Sequence, residues 1–199
     1  MIYSTSELMQ KYSNYADAKG KIRRLVRDGK LIQFARGLYE DNAAIDPAYL
    51  ASWIYSPSYL SFDYVLYIHD LIPETVHTLT SATFNKRKMK IYKNAFGIYT
   101  YQDVPKLAYP HCVIAEVSGN YSYQVATCEK ALCDKLYTLS PVRNMKEFKY
   151  LLFDDLRIDQ DDFWNLNMDD ISYLAPLYHS ANLKYLLQLI RKGKNDQYN

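Results

Sequence analysis

The chain has 199 residues, a net charge of +2, 49% hydrophobic residues, three cysteines and 21 tyrosines. That length allows one large domain or two small ones with real cores, and the near-balanced charge confines any nucleic-acid surface to a local patch. There is no bilayer-length apolar run and no signal peptide, and the odd cysteines form no CxxC pair, so a cytoplasmic protein with no membrane partner is expected.

Ser4 or Thr5 can cap a first helix whose apolar positions are Leu8, Met9 and Tyr12, with Glu7 near its positive end. Two periods then meet in residues 15–40. Ala18, Ile22, Leu25 and Val26 fall at helical spacing, and Asp28-Gly29 stops that helix because glycine enters the left-handed region without a Cβ clash. Leu31, Ile32 and Phe34 read as a strand, Ala35-Arg36-Gly37 as a turn and Leu38-Tyr39 as a return strand. This order predicts a winged helix-turn-helix over residues 1–45. Lys19, Lys21, Arg23, Arg24 and Arg27 sit off the apolar stripe, Lys30 follows the helix and Arg36 stands at the hairpin tip. Only Asp17 and Asp28 oppose them. These seven cations are the candidate contacts to double-stranded DNA, with the helix in the major groove and the tip on a phosphate or in the minor groove.

After a weak linker at residues 41–44, Asp46-Pro47 opens a helix with Tyr49, Leu50, Trp53 and Ile54 as its buried face. Phe62, Val65, Leu66 and Ile68 mark another helix, ending near His69-Asp70. Strands are expected at residues 78–84, 89–92, 97–101, 112–117 and 121–125, with Ser118-Gly119-Asn120 as a hairpin turn. Thr127 caps a helix with Ala131, Leu132, Leu136 and Leu139 facing inward. Further helices are expected at residues 145–152, 162–166, 169–178 and 182–191, followed by a frayed polar tail from Lys192. The fold class is therefore α+β: the N-terminal winged helix-turn-helix, then a mixed α/β domain with a helical C-terminal part over residues 46–199.

No catalytic set, metal site or cofactor motif stands out. His69, His77, His111 and His179 lack metal-site spacing, and Cys112, Cys128 and Cys133 read as buried or half-buried thiols. Phosphate-cradling glycine loops and GxSxG are absent. The aspartates between Asp154 and Asp170 read as helix caps on a solvated face. Lys86, Arg87, Lys88, Lys90 and Lys93 form a second basic run. It suits either an acidic or nucleic-acid partner or an edge strand guarded by lysines. Alternation places Lys88, Lys90 and Tyr92 on one face, with Arg87, Met89 and Ile91 on the other. The tyrosines suit a partner surface or reflect a compositional habit.

Several blocks in order resemble the antitoxins of AbiE-type (abortive infection) systems, which are type IV toxin–antitoxin systems. These are Arg36-Gly37-Leu38-Tyr39, Asp46-Pro47 with Ala51, residues 57–61 and 67–73, and residues 126–134 after a strand. Asp70 and Cys128 stand where that family more often has Gly and Pro, and the helices after Pro141 match it poorly. The resemblance implies an N-terminal winged helix that binds double-stranded operator DNA and represses its own operon, and a C-terminal part needed to neutralise a nucleotidyltransferase-like toxin. Given such a partner, Lys86, Arg87, Lys88, Lys90 and Lys93 become the candidate toxin-neutralising surface, since the toxin or its nucleic-acid substrate offers negative charge. Two readings stand beside this one. The first is a winged-helix DNA-modifying or DNA-cleaving enzyme, for which Glu116 and Glu129-Lys130 are the nearest candidates. The second is an interaction module whose basic helix binds an acidic protein.

Overall fold

A reciprocal cap opens the first helix: Ser4 Oγ accepts the Glu7 N–H, and the Glu7 carboxylate accepts the Ser4 N–H at 2.6 Å. In the computed structural model, which describes residues 1–197, this cap joins β1 (Ile2–Ser4) to α1 (Thr5–Lys11). There follow α2 (Ala18–Arg27), β2 (Ile32–Ala35) and β3 (Leu38–Glu40). The strands pair antiparallel in the order β1-β3-β2. Strand alternation gives this small sheet two occupied faces. Tyr3 and Tyr39 join Leu8, Ile22 and Leu31 in a core beneath α1 and α2. Ile2, Phe34 and Leu38 instead pack into the main core of the chain. The small sheet is thus a layer between its own helices and everything that follows.

The main sheet contains β4 (Tyr59–Leu60), β5 (Leu79–Thr83), β6 (Lys90–Asn94), β7 (Gly97–Asp103), β8 (Val113–Ser118) and β9 (Tyr121–Ala126), in the order β6-β7-β5-β4-β9-β8. The β5–β7 and β4–β9 pairs are parallel and the others antiparallel. One face carries the segment from the 3-10 turn Pro47–Leu50 through α3 (Ala51–Ile54). The other carries α4 (Phe62–Ile68) and α5 (Cys128–Thr138). α6 (Met145–Tyr150), α8 (Met168–Leu174) and α9 (Ala181–Gln197) form a further helical layer, with α7 (Gln160–Asn165) between α6 and α8 in the chain.

Several sequence expectations change. Trp53 is 50% exposed because its helix opens as a 3-10 turn, and three residues per turn move the buried positions to Ala48, Leu50 and Ala51. Ile68 is also exposed, at the last residue of α4. Asn85 and Arg87 have positive φ, and the Asp103 carboxylate accepts the Lys86 and Arg87 N–H groups, so the third main-sheet strand begins only at Lys90. β4 has no counterpart in the expected strands, because two residues carry no period. The helices expected at 145–152 and 169–178 end early, passing into a π turn (Leu151–Asp155) and a 3-10 turn (Ala175–Tyr178). The expected fraying from Lys192 is replaced by helix through Gln197, anchored upstream by buried Leu183, Leu186, Leu189 and Ile190. The end of that tail, Tyr198 and Asn199, lies outside the described residues.

The tyrosines have structural work inside the fold. Tyr99 and Tyr101 place their rings between the main sheet and residues 47–54, and donate their hydroxyls to Pro47 O (3.2 Å) and Ala51 O (2.6 Å). An apolar ring with a polar end suits this layer, where helix carbonyls need donors. Burial raises the pKa of Tyr99 and Tyr101 above the ordinary phenol value, and pushes Tyr64 and Tyr109 up to about 12. Phenols raised in this way stabilise the fold fully below their ordinary value of 10.0, and that stability is lost as pH climbs through the raised values. Stability should therefore fall steeply above about pH 10, by up to about 1.4 kcal/mol per pH unit for each such group. A pH titration following tyrosinate absorbance and circular dichroism together should show one early, non-cooperative phase from surface phenols and one late phase coincident with unfolding. A single phase centred on the ordinary value, with the fold intact, would contradict this.

Candidate nucleic-acid interface

The N-cap of α2 is Asp17, whose Oδ1 accepts the Gly20 N–H at 2.8 Å. Its carboxylate folds so closely over Gly20 that a Cβ there would lie 1.9 Å from Oδ2. Glycine at this position therefore lets the cap close. Gly29, at φ +70°, ends the helix, and the Lys30 and Leu31 N–H groups return to Leu25 O. Ile22 is buried, with Leu25 and Val26 packed beside it against the small sheet. Arg23, Arg24 and Arg27 fall on the opposite side of the helix, and all three are exposed. Lys19 flanks them in the open, while Lys21 is half-buried with its ammonium 5.2 Å from the Tyr15 ring. Among the described residues, Arg27 alone of the seven candidate cations is in an ion pair, with Asp28 at 3.1 Å.

Lys30 lies exposed beyond the helix end, and Arg36 is exposed at the hairpin tip. The tip is held by Gly37, at φ +76°, whose carbonyl accepts the Thr5 N–H (2.8 Å) and the Thr5 hydroxyl (3.2 Å). Arg36 is therefore fixed at the start of α1, while the other cations belong to α2 and its exit. Because α2 and the main core occupy opposite faces of the small sheet, the Arg23–Arg24–Arg27 face points away from the rest of the chain.

The second basic run is divided. Lys86 is half-buried, donating to Ser56 O at 3.0 Å with its ammonium 5.0 Å from the Tyr55 ring. Arg87, Lys88, Lys90 and Lys93 are exposed. β6 is a sheet edge, as the lysine-guarded reading requires. Arg87 and Lys88 precede the strand and share no strand face with it, a correction to the expected alternation. Tyr92 turns inward onto Tyr55 and Tyr101, leaving Ile91 exposed.

Sequence reasoning missed the most elaborate polar cluster. Lys130 and Asp134, one helical turn apart on α5, are both fully buried and 3.0 Å apart. Lys130 Nζ also donates to Ala108 O (2.8 Å) and Tyr178 OH (2.5 Å). Asp134 Oδ1 accepts from Lys130 and Tyr178, and its Oδ2 from Tyr59 (2.9 Å) and Ser61 (2.7 Å). All three ammonium protons and both carboxylate oxygens are thus engaged. Burial, followed by the nearby Asp134 charge, holds the Tyr59 and Tyr178 phenols protonated. The i,i+4 Lys–Asp spacing was the available signal, but it ordinarily marks a solvated helix face.

This enclosure corrects one candidate of the enzyme reading, since Lys130 has no open side toward a substrate. Glu129 Oε1 accepts the Asn167 N–H at 3.0 Å, and Glu116 lies exposed on β8 at the far edge of the sheet. Burial pushes the Cys128 thiol up to about 12 and also raises Cys112 and Cys133, so these thiols are held protonated. Asp159 caps α7, and Asp169 and Asp170 lie in the first turn of α8. Compared with known family models and with curated proteins, the chain matches none.

Proposed function

We propose that residues 1–45 form a winged helix that binds duplex DNA through α2, and that the protein is an antitoxin-type repressor of its own operon. The observation that carries the DNA reading is the α2 surface: Arg23, Arg24 and Arg27 exposed together, opposite the buried stripe and facing away from the remaining fold. A duplex can approach this face without meeting the main sheet. The antitoxin reading is supported by the sequence blocks that resemble AbiE-type antitoxins, and its implied partner is a nucleotidyltransferase-like toxin. Exposed Arg87, Lys88, Lys90 and Lys93 would offer that toxin, or its nucleic-acid substrate, a cationic edge.

The test is DNA binding across a salt series. Arg24→Ala with Arg27→Ala should weaken binding to the protein's own promoter and reduce the log–log salt slope by about 0.9 for each phosphate that these side chains neutralise. Both side chains are exposed, so the double variant should remain folded. Unchanged affinity and slope would take α2 out of the interface. Rescue from a co-expressed nucleotidyltransferase encoded beside the gene tests the antitoxin half separately.

A further inference from the structure

The helical layer on the α4–α5 side of the main sheet stops short of its β6–β7 end. Ile91 pairs with Thr100 and Lys93 with Ile98, which places these four residues on one sheet face. Ile91 and Ile98 are 54% and 39% exposed there. A groove crosses this open end. Its inner cleft encloses about 140 Å³ and its outer cleft about 460 Å³, both partly open to solvent. The two join across Met89, Gln102 and Thr138, which line both.

The groove has three chemically distinct parts. The outer end carries the cations Arg87 and Lys88. The Asp103 carboxylate beside them already accepts from the Thr83 hydroxyl and from the Lys86 and Arg87 N–H groups, and the last of these holds Arg87 in a left-handed conformation at φ +65°. The middle is walled by the Met89 thioether, 60% exposed, and the Tyr137 ring, 37% exposed. The floor presents Thr100 and Gln102, whereas neighbouring Thr80 is committed to Ser61 O and the Tyr64 N–H. At the inner end, Lys135 pairs with Asp63 at 2.7 Å.

A flat-sided apolar wall, hydroxyl and amide groups on the floor, and cations at one end match a planar heterocycle linked through a sugar to phosphate. We propose that this groove binds a nucleoside phosphate. The base lies between Tyr137 and Met89, its polar edge meets Thr100 and Gln102, and the phosphates reach Arg87 and Lys88. A second copy of the chain is a poor occupant, because pairing β6 with itself would oppose Lys90 and Lys93 to like charges. The site is separate from α2 and does not depend on the DNA reading.

The experiment is calorimetric titration of the full chain with ATP, CTP and inorganic triphosphate. At least one nucleotide should bind, about tenfold or more tightly than inorganic triphosphate. Lys88→Glu and Gln102→Ala should each weaken that binding about tenfold. The Arg24→Ala/Arg27→Ala variant should bind the nucleotide as the parent does. Any of four results overturns the proposal: neither nucleotide binding, triphosphate binding equally well, indifference to both groove substitutions, or loss of binding in the α2 variant. Much tighter binding of a single-stranded oligonucleotide than of either nucleotide would also overturn it, in favour of a polynucleotide surface.

Discussion

Replacing Asp134 by alanine should destabilise the protein by about 3–5 kcal/mol, the usual cost of stranding one partner of a buried ion pair. The Lys130 ammonium would keep Ala108 O and Tyr178 OH, but would lose its counter-charge in a site with no exposure. Tyr59 and Ser61 would lose their shared acceptor at the same time. These groups come from β4, the start of α4, the segment before β8, α5 and the turn before α9, so one carboxylate links elements far apart in the chain. Lys130→Met with Asp134→Leu should cost much less than Asp134→Ala alone, because an apolar pair of similar size leaves no bare charge. Urea unfolding of the parent and the two variants measures both effects. A loss below about 1 kcal/mol for Asp134→Ala would mean that the pair is not closed to water.

Phe34→Ala should cost about 3–5 kcal/mol as well, and most of it should be felt as release of the N-terminal segment. Phe34 belongs to β2 by sequence but to the main core by packing. Its ring meets Phe96 edge-on at 6.4 Å, and its carbonyl accepts the Asn94 side-chain N–H at 3.0 Å. Tyr121 adds a second tie, donating its hydroxyl to the buried Glu40 carboxylate at 2.9 Å. Among the described residues, the core beneath α1 and α2 has only Leu8, Ile22 and Leu31 buried in it, too few to hold that segment firmly by itself. Hydrogen exchange should therefore quicken across α1, α2 and the small sheet in Phe34→Ala, while α5 and β5 stay protected. Uniform loss of protection over the whole chain would show that the two cores unfold as one unit.

Local signals were legible in the sequence where the chain acts on its nearest neighbours. A cap at Ser4 or Thr5, the Asp28-Gly29 stop, the apolar stripe of α2 and the Thr127 cap depend on residues within one or two turns, and the structure has all of them, with Ser4 as the first cap and Glu7 closing it reciprocally. The arginines of α2 were equally legible, because a helix that buries Ile22, Leu25 and Val26 must turn Arg23, Arg24 and Arg27 outward. Tertiary structure alone decided the rest. Phe34 and Leu31 look alike in the sequence, yet Phe34 on β2 turns into the main core, while Leu31, just before that strand, joins the core beneath α1 and α2. Lys130 and Asp134 look like a solvated pair until β4 and the turn carrying Tyr178 close over them with donors and acceptors. The groove beside Arg87 and Lys88 exists because α5 ends before it covers β6 and β7, and no residue's own period records where another element stops. Short-range backbone and capping forces therefore set the elements, while burial across long sequence separations set which faces are closed and which remain open for binding.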